Sequence, residues 1–264
     1  MPFMEKYMIR VIFLASLLFL SWKKVSPDWI KETQKGYTIF YTSVDRENLK
    51  EYKQLIENGI ASVNTFFHSS YKKEFNIFIH PSRRSLDSAW QKDWHMPGFK
   101  SACWMVASGV ASRLDMISPR LWDHQSCDHI YASTIYTRQL ITHELVHVYH
   151  GQLNASPDFS NVEGIDWFVE GLATFASGQC DTLRIAEVKK AIIENKIPKS
   201  LDDFWKGNFR YGLSGSVVMF IDHTYGRARL KELLPFNKKS EILSALKTTE
   251  PELLERWRIY IKEL

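Results

Sequence analysis

The chain has 264 residues, 45% hydrophobic and 14% aromatic, with a formal net charge of +4. That apolar content supports a real core and excludes a disordered chain. The charge is small and dispersed, which excludes a nucleic-acid binder, and the chain shows no internal repeat or low-complexity tract.

The first 24 residues stand apart. Lys6 and Arg10 precede an apolar run from Val11 to Trp22, closed by Lys23 and Lys24. This is a basic region followed by an apolar stretch of secretory length, shorter than the roughly 20 residues of a spanning helix. Residues 1–24 are therefore expected to be a signal peptide. With no clear small-x-small cleavage site, an uncleaved membrane anchor is the alternative. A buried first helix is the third reading; on the charge and length pattern the protein is expected to be exported or membrane-anchored and to work outside the cytoplasm. Cys103, Cys127 and Cys180 lack the C-x-x-C spacing of a zinc cluster. Export predicts one disulfide and one leftover thiol without naming the pair; buried reduced cysteines are the other reading.

Gly36 to Ser43 is a strand candidate, rich in β-branched and aromatic residues. Leu49, Tyr52, Leu55, Ile56, Ile60, Val63 and Phe67 then mark a helix within Asp45 to Phe67. "FNIFIHP" reads as a second strand ending at Pro81, and "RSLDSAWQKDW" as a short helix. "ACWMVASG" and "SRLDMIS" read as a hairpin turning at Ser108-Gly109, followed by a connection from Pro119 to about Ser133. The chain then turns helical. Helices are expected over Thr134–Gln152, Asp166–Ser177 with Asp166 as N-cap and Gly178 as stop, and Thr182–Asn195. Ser214–Tyr225, Ala228–Leu234, Glu241–Leu246 and Pro251–Leu264 follow. The expected fold is α+β: a sheet-bearing lobe over 25–133, then a helical lobe over 134–264, with one catalytic cleft between them.

The junction carries "ITHELVHVYHGQL". On a helix, His143 and His147 lie on one face, one turn apart. Glu144 sits about 60° around from His147 by the 3.6-residue repeat. Two imidazoles can therefore share one Zn²⁺, while a carboxylate beside them takes a proton from water without being a ligand. A catalytic zinc also needs a third protein ligand and an open position. The H-E-x-x-H-x-x-G-x-x-H pattern fails, because His150 stands at its glycine and Leu153 at its last histidine. Glu170, in "DWFVEGLATFASG", is the expected third ligand. The loop between is long enough to reverse the chain, and Gly171 and Ala173 are small enough to let the second helix come close. Glu163, in that loop, is its rival. His150 is about 10 Å along the axis from His143, too far to share the metal, and is assigned a polar cap or a contact behind the ligands. Thr174, one turn past Glu170, is a candidate to orient a ligand.

"HELVH" followed by "WFVEGLATF" resembles the gluzincin metallopeptidases, specifically the peptidase MA-like group, whose pattern is a zinc helix and then W-x-x-E-G-x-A. "YGLSGSVVMFIDHTYG" resembles the tyrosine-initiated helix of that group, and "LLERWRIYI" its Trp-containing last helix. The resemblance covers about residues 100 to 264. It implies a zincin-like fold, with His143, His147 and Glu170 holding zinc and Glu144 as general base. It also implies that Tyr211 donates to the oxyanion of the tetrahedral intermediate, and that the strand Arg113–Ile117 pairs with an extended substrate.

The expected function is zinc-dependent hydrolysis of a peptide or protein substrate. No G-x-M-E-N signature precedes the zinc helix; "ASGVASRLDM" stands there, which slightly favours endopeptidase over aminopeptidase action. The alternative is a non-catalytic binding or scaffold domain stabilised by zinc. Glu144 discriminates between them, since structural zinc needs no base and prefers four protein ligands.

Overall fold

A computed structural model describes residues 27–264. The expected leader at 1–24 lies outside the described residues. Among the described residues no helix is long and apolar enough to cross a membrane.

The fold is α+β. Five strands, β1 (Ile30–Gln34), β2 (Tyr37–Tyr41), β3 (Phe75–His80), β4 (Ala107–Val110) and β5 (Arg113–Ile117), form one sheet in the order β1-β2-β3-β5-β4. β1 and β2 form an antiparallel hairpin. Gly36 supplies its turn with φ +89°, a conformation that costs glycine no steric clash. The sequence pattern missed β1, whose alternation is polar and half-exposed. β2, β3 and β5 run parallel. Two helices make the crossovers that parallel strands require: α1 (Leu49–Phe67) and α2 (Arg83–Asp93). β4 pairs antiparallel with β5 and closes one side of the sheet.

Register explains how the sheet meets the helices. Ile39 pairs with Ile77, Ile77 with Leu114, and Leu114 with Gly109. These four form one buried row across the sheet. At its end the row loses its side chain, and there the helix α4 (Thr134–Gly151) crosses. A Cβ on Gly109 would lie 2.2 Å from the Glu144 carbonyl oxygen. Gly109 is thus a strand residue chosen for close approach, not the hairpin turn expected of it; Ala111 and Ser112 make that turn. Gly59 of α1 serves similarly, since a Cβ there would lie 2.6 Å from Leu145.

After α4 come α5 (Asp166–Ala176), α6 (Thr182–Ile193), α7 (Arg210–Glu232), α8 (Lys239–Ala245) and α9 (Glu250–Glu263). A short helix, α3 (Trp122–Gln125), lies before α4. Asp166 is not the cap of α5: Ile165 holds that position and Asp166 falls in the first turn. α7 begins four residues earlier than its apolar pattern suggests, and Gly226, at φ 82° and ψ 158°, breaks its helical course. α5 packs on α7 at glycine contacts. A Cβ on Gly171 would lie 2.3 Å from the Ser214 carbonyl oxygen, and one on Gly215 2.9 Å from Thr174. This close seating brings Glu170, on α5, and Tyr211, on α7, toward one cleft. The buried apolar residues form one cluster from Tyr37 in the sheet to Ile261 in α9.

Candidate metal centre

α4 is buried along most of its length from Leu140 to Gly151, and the turns that carry His143 and His147 lie within that buried stretch. His143 Nε2 and His147 Nε2 lie 3.1 Å apart. Glu170 Oε2 lies 3.4 Å from the first and 3.6 Å from the second. Among the described residues these three form a cluster able to hold a metal ion. A tetrahedral site with bonds of about 2.0–2.1 Å has edges of about 3.3–3.4 Å, so the triangle fits Zn²⁺ in size as well as in donor type.

The proton arrangement points the same way. His143 Nδ1 lies 2.8 Å from Gln179 Oε1, an acceptor, so Nδ1 carries the hydrogen and Nε2 presents its lone pair. That lone pair, the ring nitrogen of His147 and a carboxylate all converge on one point. Glu170 is held well below the ordinary carboxylate range: burial opposes its ionisation, but the histidines outweigh that through charge and hydrogen bonding. The positive charge that keeps Glu170 ionised is supplied by protons on the imidazoles or by a cation in their place; with the rings neutral, two nitrogen lone pairs and a carboxylate face that cation.

Glu144 turns its side chain to the same cleft and is not part of the triangle. Burial pushes its carboxyl up to about 7; His143 opposes the shift, Glu170 adds to it, and the Gly109 N–H opposes it. A carboxyl in that range can both take and return a proton near neutral pH. Tyr211 stands in the first turn of α7 and lines the cleft, its ring centroid 6.4 Å from that of His143. Burial and the nearby Glu170 raise its phenol, while Arg210 beside it pulls it back.

Other expectations fare differently. Glu163 is no rival ligand, because it pairs with Lys238 at 3.4 Å on the exposed side of its loop. His150 is fully buried between Phe159 and Phe168, and the Asn154 amide faces its Nε2 at 3.4 Å. Thr174 orients no ligand: its buried hydroxyl has no hydrogen-bond partner and its methyl packs toward Gly215. The side chain that reaches a histidine of the cluster is Gln179. The chain stops α5, turns at Gly178 with φ +78°, and folds Gln179 back onto Thr174 O. Arg184 then donates to Gln179 O, and Gln139 to Gly178 O. Only the Gly178 stop signal hinted at this reversal.

Arg113–Ile117 is not the cleft strand. β5 is enclosed between β3 and β4, and Arg113 pairs with Asp93 at 2.9 Å and Asp115 at 2.7 Å. The strand along the cleft is β4, the outer edge of the sheet, through Ala107 to Val110. The cleft measures about 880 Å³, ample for several peptide residues. A disulfide joins Cys103 to Cys127 and so ties together two loops of the cleft rim, those carrying Trp104 and Asp128. Cys180 is the unpaired thiol.

No family model matches this chain, and no curated protein matches it either. Among solved structures it is similar to native yeast LTA4 hydrolase, at 13% identity and a TM-score of 0.48. The match covers 90% of this chain and 38% of that one, so the chain spans little more than a third of that protein's length.

Proposed function

We propose that this protein is a gluzincin-type zinc peptidase, slightly favoured as an endopeptidase, that works outside the cytoplasm. The observation that carries this reading is the His143–His147–Glu170 triangle, sized for zinc, with Glu144 beside it in an open cleft. Zinc held by these three residues would acidify a water and polarise the scissile carbonyl. Glu144 takes the proton and returns it to the leaving amine. Tyr211 donates its phenol to the oxygen on which charge develops. Gln179 keeps His143 in the tautomer that leaves Nε2 available. The edge of β4 offers backbone groups to an extended peptide.

The zinc-stabilised scaffold reading is weaker, because the cluster has three ligands rather than four and places a carboxyl with raised pKa at its side. The Cys103–Cys127 disulfide supports an oxidising compartment.

Metal analysis beside a peptide-library digest, with and without chelator, tests the proposal. One equivalent of zinc and chelator-sensitive cleavage are expected. His147→Ala should lose most of the zinc, since it removes one of three protein bonds to the metal. Full zinc content in that variant would refute the ligand assignment.

A further inference from the structure

Among the described residues, one cation in the cleft is held against aromatic rings with no carboxylate in salt-bridge reach. Arg210 opens α7, one residue before Tyr211, and is half-buried. Its guanidinium carbon lies 4.6 Å from the Trp104 ring centroid, 5.2 Å from that of Trp205 and 5.2 Å from that of Tyr211. Trp104 comes from the loop after α2, and the other two rings from the helical side. Among the described residues no carboxylate lies within 4.0 Å of Arg210. The other arginines near the core are engaged: Arg113 with Asp93, Arg120 with Asp45 and Arg227 with Asp222. Arg184, also in the cleft, donates to the Gln179 carbonyl.

Aromatic rings attract a guanidinium through its charge and its flat face. The ring faces take up none of the N–H donors that lie in its plane; the Tyr211 hydroxyl draws on one of them, and the rest remain for a partner. Three rings also restrict a long side chain in advance, so less entropy is lost when a partner arrives. The group that matches a guanidinium edge bidentately, and that a peptide can carry, is a carboxylate. Among the residues lining the cleft carboxylates outnumber arginines seven to two, so its overall field is not positive. Asp158, for one, is occupied by Ser160, and Asp181 caps α6. Selection for an anion would therefore be local to Arg210.

We propose that Arg210 is the anion anchor of the cleft: the preferred substrate is a peptide with a carboxylate near the scissile bond, either its own C-terminus or an Asp or Glu side chain. This rests on the peptidase reading above.

The test uses zinc-loaded full-length protein and four N-acetylated peptides of equal length. One is neutral with a free C-terminus, one is its C-terminal amide, one is the amide carrying a single Glu, and one is the amide carrying Gln in its place. A charge-assisted pair favours the carboxylate peptides by about 10- to 100-fold in KM over their neutral counterparts. The first pair reports a C-terminal carboxylate and the second a side chain. In Arg210→Gln the ratio between charged and neutral members should collapse toward one, and Arg210→Lys should restore part of it. The ratio is read, not the absolute rate, so a general loss of activity does not imitate the result. Equal KM values within both pairs for the wild type, or a ratio unchanged in Arg210→Gln, would overturn the proposal. If none of the four peptides is cleaved, the peptidase reading fails separately. Calorimetric affinities for the same peptides, compared between wild type and Arg210→Gln, then decide the anchor on the same ratio.

Discussion

Glu144 and Tyr211 divide the chemistry of the proposed reaction between a base and a hydrogen-bond donor, and each can be removed with little change of shape. Glu144→Gln should keep zinc and fold but lose turnover, because the amide cannot accept a proton. Comparable hydrolysis by the variant and the wild type would rule out the base. Tyr211→Phe removes one oxygen. If the phenol serves the oxyanion, kcat should fall by roughly 10- to 1000-fold with KM little changed. Zinc content should stay near wild type, since Tyr211 lies outside the ligand triangle. Normal turnover would reduce Tyr211 to a packing residue at the cleft wall. Burial, Glu170 and Arg210 all act on this phenol, so its donor strength is set by residues on two helices.

At the scale of elements, the clustering of His143, His147 and Glu170 is legible because helical spacing is rigid. His143 and His147 face one point simply by standing four apart on one helix, and "WFVEG" announced a second helix by its apolar flanks. Contacts between elements were not legible. Gly109 in "ASGVAS" carries the signal of a turn, yet its role is to let β4 touch α4, which only the sheet register defines. Gln179 follows a helix stop and looks like a surface residue until the Gly178 reversal brings it to His143. The resemblance implies Arg113–Ile117 as the cleft strand; the order of strands in the sheet makes β4 the edge instead. Gly109 tests this view of the contact. In Gly109→Ala the new methyl meets a backbone carbonyl 2.2 Å away, which cannot rotate aside. β4 should be pushed from α4, lowering stability by about 1–3 kcal/mol, the range for overpacking. Zinc affinity should fall too, because the helix turn displaced carries Glu144 and the wall behind His147. Denaturant midpoint and metal affinity both unchanged would show that the approach is looser than drawn.

For the molecule as a whole, the loop between α4 and α5 is closed by contacts with the segment that follows α7. Asn154 donates to the carbonyls of Leu234 and Phe236, and Ala155 to that of Pro235. The segment after α7 therefore fixes the loop that leads into α5 and Glu170. His150 lies beneath this junction, fully buried, and burial together with the charge of His147 lowers its pKa to about 3. The unfolded chain has an ordinary histidine near 6.5. Above that value both states are neutral at His150 and stability does not depend on pH through it. Between 6.5 and 3 the unfolded state binds a proton that the folded state refuses, so stability falls as pH falls, by up to about 1.4 kcal/mol per unit. From pH 7 to pH 5 the loss from this one group is about 2 kcal/mol. His150→Gln should have lower stability at pH 7, because it disturbs the packing between Phe159 and Phe168. It should nevertheless lose less on acidification than wild type by about that amount. If the cluster holds zinc, its release in acid also weakens the protein, but both proteins would share that loss and it cancels in the comparison. Urea unfolding at pH 7 and pH 5, with zinc held equal, measures the difference. Parallel losses in the two proteins would mean that His150 accepts its proton inside the fold, and that the junction beneath the ligand loop opens to water.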